Sequence, residues 1–195
     1  MFHRHHPDDA QTDAELAARV QRGDPHAYAA LFRAYYLSIV RFLTRYLTPH
    51  ESAEDVAQDV FAQLWERRLE LDPGRSVKAY LFTTARNRAF DLLAHRDVVR
   101  RHEETSRQAL GDTMEVAADP RPDEIVTAAE LAHIAEQRVA TLSPRLREVY
   151  HLSRDEGLSA AEIATVLGTS VQTIYTQLTK VTQALHPVLE RWLDD

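Results

Sequence analysis

The run Ser159–Ala160–Ala161–Glu162 is a capping box. Its serine hydroxyl can accept from the backbone N–H three residues on, while the glutamate reaches back to the serine N–H, so a helix has to start there. Gly168 can take the left-handed conformation that stops such a helix, and Ser170 at once caps another. Ile163, Ala164 and Leu167 give the first of these helices an apolar face, and Ala164 is small enough to let the second cross it closely. Val171, Ile174 and Leu178 recur at helical spacing and are expected to fix the second helix against the first. A pair of short helices started and stopped this tightly is the outline of a helix-turn-helix, with Gln172, Thr173, Tyr175, Thr176 and Gln177 facing out. The same pattern fits a surface helical hairpin that binds nothing.

The rest of the chain is read as all-α. Its few glycines and prolines (five and eight in 195 residues) fall mostly where helices should start or stop. Thr12 and Glu15 make a capping box for a short helix that Gly23 ends, and Asp24 with Pro25 starts a long one to about Leu47. Thr48, Pro49 and Glu51 repeat the start signal for a third helix to about Arg68, with Ala53, Val56, Ala57, Val60, Phe61, Leu64 and Trp65 as its buried stripe. Asp72–Pro73–Gly74 is a turn. A fourth helix is expected from near Ser76 to about His95, with Val77, Leu81, Ala85 and Leu92 inward. Residues 12–96 then form one small domain, 97–122 a linker ending in Asp119–Pro120–Arg121–Pro122, and 123–195 a second domain. In that second domain Ile125, Ala128, Leu131, Ile134 and Ala135 mark a helix and Ser143–Pro144 caps the next. His186–Pro187 should kink or restart the last helix.

Composition excludes several classes. There is no cysteine, which rules out disulfides and thiolate metal sites. His3, His5 and His6 lie close together in a polar N-terminal stretch and are read as a solvated end, not a metal site. No apolar run approaches the roughly 20 residues needed to span a bilayer, and the N-terminus lacks a signal-peptide stretch, so a cytoplasmic protein is expected. No cluster suggests nucleophilic catalysis or a carboxylate pair in a cleft. Neither an enzyme nor a cofactor is expected.

Net charge is −7, which argues against a bulk DNA binder, but its distribution is uneven. Residues 75–107 carry eight basic side chains against four acidic ones, whereas residues 123–195 carry six against eleven. Strong contact with nucleic acid is therefore expected from the middle of the chain. On the third helix, Asp55, Gln58 and Asp59 project from one side at i, i+3 and i+4, either as a solvated face or as a surface for a basic partner. On the fourth, Tyr80, Arg86, Asn87, Arg88 and Phe90 interleave rings, base and amide, the mixture that a melted strand requires for stacking and backbone contact. The aromatics taken alone read equally as core.

The runs Glu54–Asp55–Val56–Ala57–Gln58–Asp59–Val60–Phe61–Ala62–Gln63–Leu64–Trp65–Glu66 and Ala79–Tyr80–Leu81–Phe82–Thr83–Thr84–Ala85–Arg86–Asn87–Arg88–Ala89 resemble region 2 of bacterial sigma-70-family factors of the extracytoplasmic-function (ECF) group. Leu142–Ser143–Pro144–Arg145–Leu146–Arg147–Glu148–Val149, followed by Glu156–Gly157–Leu158–Ser159–Ala160–Ala161–Glu162–Ile163–Ala164, resembles their region 4. The resemblance implies a non-enzymatic initiation factor whose partners are core RNA polymerase, promoter DNA and an anti-sigma factor. It implies polymerase docking through Asp55, Gln58, Asp59 and Gln63. It implies that Arg75, Ser76, Lys78, Tyr80, Arg86, Asn87 and Arg88 melt and hold the −10 element. Ser170, Gln172, Thr173, Tyr175, Thr176, Gln177 and Lys180 are implied for the −35 element. The second helix of the helix-turn-helix departs from the family, which usually has several Lys or Arg there; this chain has Lys180 alone. A neutral helix can still read bases through glutamine. Two other readings remain compatible: a sigma-like protein that sequesters polymerase or an anti-sigma factor, and a stand-alone regulator that reads an operator.

Overall fold

A computed structural model describes residues 7–47, 52–104 and 128–193. Among these the protein is all-helical, without a strand, as expected. Helices α1 (Pro7–Gln21), α2 (Pro25–Leu43), α3 (Ala53–Glu66) and α4 (Val77–Glu104) form the first half, with a single 3-10 turn at Arg68–Glu70. Helices α5 (Ala128–Ala140), α6 (Pro144–Arg154), α7 (Ala160–Leu167) and α8 (Val171–Leu193) form the second. No described helix is long and apolar enough to cross a membrane.

Local chemistry explains most boundaries. Asp24 accepts from the backbone N–H of His26 and Ala27 at the start of α2, where Pro25 has no N–H to leave unpaired. Ser143 caps α6 in the same way by accepting from Leu146 N–H. The capping box at Ser159 and Glu162 is complete, and Gly168 ends α7 with φ +59, in the left-handed region.

Five boundaries differ from the sequence reading. Helix α1 begins at Pro7, not at Thr12, because proline at the first helical position is as good a start as the capping box downstream. Helix α2 ends at Leu43, short of Leu47. Helix α3 is capped by Ser52, whose hydroxyl accepts from Asp55 N–H; Thr48, Pro49 and Glu51, offered as the start signal, lie outside the described residues. Helix α4 continues past His95 to Glu104, into the segment expected to be linker. That stretch has lost its apolar period, but Arg96, Arg100, Arg101, Glu103 and Glu104 within it are residues of good helix propensity. Helix α8 runs through Pro187 without a restart, so the missing donor is a local loss. His3, His5, His6, Ile125 and the Pro120–Pro122 end of the linker lie outside the described residues.

The core is one contiguous apolar cluster shared by both halves. Leu31, Ile39, Phe42, Phe61, Leu64, Leu81 and Phe82 come from the first half, and Val149, Leu152, Ile163, Leu167 and Ile174 from the second. Each fully buried Leu, Ile or Phe contributes about 1.5–3 kcal/mol relative to exposure, so this shared interior is a large part of what holds the halves together. Val139, Leu142 and Val181 form a small second cluster where α5 meets α8.

Candidate nucleic-acid and polymerase interfaces

The turn after the 3-10 segment is built by Asp72. Its Oδ1 accepts from Gly74 N–H at 2.9 Å, and its backbone carbonyl accepts from Arg75 N–H at 2.9 Å. This aims Arg75 outward, with its side chain 86% exposed. Ser76 then caps α4, accepting from Ala79 N–H at 3.1 Å. Behind this turn a groove of about 1050 Å³ runs along α4 past Tyr80, Thr83, Asn87 and Arg88. Gln63 of α3 and Ala161, Glu162 and Thr165 of α7 also line it.

The predicted residues separate into three situations. Asp55, Gln58 and Asp59 are exposed on α3, and neither aspartate has an ion-pair partner among the described residues. Gln63, assigned to the same surface, is half-buried and belongs to the groove. Arg75, Asn87 and Arg88 are exposed and line the groove. Ser76, Lys78 and Arg86 are instead engaged by the second half of the chain. Ser76 Oγ donates to Glu162 Oε1 at 2.6 Å. Lys78 is 6% exposed and its Nζ donates to the Gly157 carbonyl at 3.0 Å. Arg86 Nε donates to Glu148 Oε1 at 2.8 Å, while its guanidinium lies over the Phe90 ring at 4.4 Å. Tyr80 is half-buried and Phe90 half-exposed, so neither is plain core.

On α8, Gln172, Thr173, Tyr175, Thr176 and Lys180 are exposed, as expected. Ser170 caps the helix by accepting from Thr173 N–H at 3.1 Å. Two expectations fail here. Gln177 does not face out but is half-buried. Val171, expected inward, is 40% exposed, because Ile174 and Leu178 alone make the strip that meets the core. On α4, Leu92 is likewise exposed where an inward position was expected, since the packed part of that helix ends near Ala89. Two buried side-chain atoms have no hydrogen-bond partner among the described residues: Tyr80 Oη and Gln177 Oε1. Such atoms cost about 1–3 kcal/mol each and are uncommon in settled structure.

Several further groups that hold the halves together were not singled out in the sequence. Arg45 of α2 pairs with Asp155 at 2.6 Å and with Glu156 at 3.2 Å, and Arg41 reaches Glu156 at 3.4 Å. The Glu156 side chain is fully buried. Tyr46 Oη donates to Glu148 Oε1 at 2.8 Å. Burial first, and then the neighbouring Glu148 charge, push the Tyr46 phenol far above its ordinary value, so it stays a donor. Burial also acts to raise the Asp155 carboxyl, but its hydrogen bond with His151 and the Arg45 charge outweigh this, and its pKa lies below the ordinary one. The signal for these contacts was present only as the acidic balance of residues 123–195, with six basic side chains against eleven acidic ones.

A small helical bundle packed against a helix-turn-helix, with exposed carboxylates on α3 beside a groove of mixed charge, narrows the class to proteins that bind nucleic acid or a protein partner. Comparison with known proteins is specific on this point. Residues 31–98 match the family described as Sigma-70 region 2, and residues 132–185 match Sigma-70, region 4. The chain is 30% identical over 190 residues to the RNA polymerase sigma factor CnrH of Cupriavidus metallidurans, covering 94% of this chain and 96% of that one. It is 34% identical over 180 residues to the ECF RNA polymerase sigma factor SigL of Mycobacterium tuberculosis, covering 89% and 96%. Among solved structures, CnrH in complex with the cytosolic domain of CnrY superposes with a TM-score of 0.60 at 25% identity, covering 92% of this chain and 98% of that one. The sigma factor RpoE of Bartonella quintana, in complex with the anti-sigma factor NepR, shares the fold with a TM-score of 0.59 at 18% identity, over 84% and 96%. The chain belongs to the sigma-70 family, in its ECF group. Members of this family are initiation factors and not enzymes in the ordinary sense.

Proposed function

We propose that this chain binds core RNA polymerase through α3, holds one separated strand of the −10 element in the groove of α4, and reads the −35 element through α8. On this reading Asp55, Gln58, Asp59 and Gln63 meet the polymerase. Arg75, Ser76, Lys78, Tyr80, Arg86, Asn87 and Arg88 take the strand, and Ser170, Gln172, Thr173, Tyr175, Thr176, Gln177 and Lys180 face the duplex. The functional division is 12–96, 97–122 and 123–195, the protein works in the cytoplasm, and an anti-sigma factor is its regulator. The last point draws support from the relatives crystallised with CnrY and NepR.

The observation that carries the reading is the continuity of two surfaces. The exposed carboxylates of α3 lead through Gln63 to a groove lined by Arg67, Arg75, Arg88, Tyr80 and Asn87, with the carboxylates Glu70, Asp72, Asp91 and Glu162 among them. One surface suits a basic protein partner, and the next suits phosphates and unstacked bases. Extruding a base costs a few kcal/mol, which ring stacking and arginine contacts at this groove can offset.

The deciding experiment is transcription in vitro with core enzyme on a library of random promoters, with and without this chain. Specific start sites that depend on the chain are the expected result. A second reading, a sigma-like protein that sequesters polymerase without promoter specificity, is favoured by one feature: within residues 170–181 the outward strip has Lys180 as its sole basic residue. Polymerase binding without any selected promoter would establish it in place of the first.

A further inference from the structure

Helix α8 turns one face outward, and the chemistry of that face is narrow. Ile174 and Val181 are buried, and the side away from them carries Gln172, Tyr175, Thr176, Thr179 and Lys180, all exposed. Their spacing of i, i+3, i+4, i+7 and i+8 puts them on a single stripe. Val171, 40% exposed, flanks the stripe one turn before Tyr175, which is 56% exposed. The aliphatic hydroxyls here are already committed. Ser170 Oγ and Thr173 Oγ1 lie 2.8 Å apart, and Ser170 Oγ also accepts from Thr173 N–H. Thr176 Oγ1 donates to the Gln172 carbonyl at 3.1 Å, and Thr179 Oγ1 to the Tyr175 carbonyl at 3.0 Å. With each hydroxyl turned back along the helix, what these two threonines offer outward is chiefly a methyl group. Gln177 is half-buried and does not join them. The stripe therefore consists of one amide at Gln172, one cation at Lys180, and an apolar remainder of ring and methyls.

We propose that this stripe selects A·T base pairs in the −35 element, Gln172 reading an adenine while Val171, Tyr175 and the Thr176 methyl pack on thymine methyl groups. The inference rests on the −35 reading of α8 and names the bases that helix accepts. Base-edge chemistry carries it. In the major groove guanine presents two acceptors and is matched by a bidentate arginine or lysine, adenine presents an acceptor beside a donor and is matched by glutamine, and thymine alone carries a methyl. The first turns of such a helix are the ones that reach base edges. Residues 170–181 contain no arginine, and Lys180 comes eight residues after Gln172, so those turns hold no cation to match guanine. Lys180 is left for a phosphate, and contact at −35 then adds little to the salt dependence of promoter binding.

Templates active in the random-promoter experiment are randomised again over the −35 region alone and transcribed by core polymerase with the full chain. Expected among the active templates is an A·T-rich −35 element without a fixed guanine. Gln172→Ala should relax one adenine position by about tenfold, equivalent to about 1.4 kcal/mol. Uracil in place of thymine removes only the methyl, and at the selected positions it should lower activity about fourfold, the worth of one buried methyl group. In Tyr175→Ala or Thr176→Ser that difference should vanish at the thymine each residue touches. Thr176→Ser keeps the hydroxyl and its bond to the Gln172 carbonyl, so its effect reports the methyl and not the helix. A fixed guanine, or adenine and thymine preferences that survive all three substitutions, overturns the proposal. Active templates with no −35 preference overturn it as well, leaving the stripe to a protein partner while −10-directed initiation stands. If the first library yields no start site that depends on the chain, the promoter reading falls and this base preference with it.

Discussion

Glu162 accepts hydrogen bonds from two elements at once. Its Oε2 takes the N–H and hydroxyl of Ser159, each at 2.7 Å, and its Oε1 takes the Ser76 hydroxyl at 2.6 Å. Burial pushes this carboxyl up, but the Ser76 and Ser159 hydrogen bonds outweigh it and hold the pKa below the ordinary value. A depressed folded pKa gives stability that is present above the unfolded value and lost as pH falls through the folded one. The stability gap between the wild type and Glu162→Gln, measured by denaturant titration, should therefore narrow as pH drops below the ordinary carboxylate range of about 4. A gap that stays constant across that range would refute the assignment. Gly168 is a simpler case. A Cβ there meets nothing within 4 Å, so Gly168→Ala should cost only the backbone strain of φ +59, about 1–2 kcal/mol. A neutral result in thermal denaturation would mean that α7 can end another way.

At the scale of elements, starts written in capping chemistry were legible and extents were not. Asp24–Pro25, Ser143–Pro144 and the Ser159 capping box all open helices where the residues said they would, because a cap is a local device. Ser52 was missed because Thr48–Pro49 offers an equally good local signal and only tertiary placement chooses between them. The periodicity rule over-counted the inward set on α8, since a helix lying across a core at one end buries fewer turns than its spacing suggests. Ile174 is the residue that fixes α8, being fully buried. Ile174→Ala should cost about 2–5 kcal/mol and lower the melting temperature far more than Val171→Ala at its exposed position. The acidic face of α3 predicts the opposite behaviour. Asp55→Arg with Asp59→Arg should leave the circular dichroism and melting temperature unchanged and abolish co-elution with core polymerase. Undiminished run-off transcription by that variant would show that α3 does not dock.

For the whole molecule, the sequence disclosed two helical units, a basic stretch over residues 75–107 and an acidic second unit, but not that the units meet. Arg41 and Glu156 stand 115 residues apart, and nothing local in either indicates the other. A charge balance says that a partner is wanted; only geometry says that the partner is the same chain. Raising salt should loosen the outer ion pairs, such as Arg45–Asp155, more than the pairs made by buried Glu156, because screening reaches exposed charges first. A donor–acceptor dye pair with one dye on each half should then report a gradual fall in energy transfer and not an abrupt one. The shared interior also has a thermal consequence. Since greasy side chains from α2, α4, α6 and α7 sit in a single mass, neither portion can melt without baring its neighbour's inner face to water. A scanning calorimeter should record a lone endotherm for this protein, where two beads on a string would show a pair.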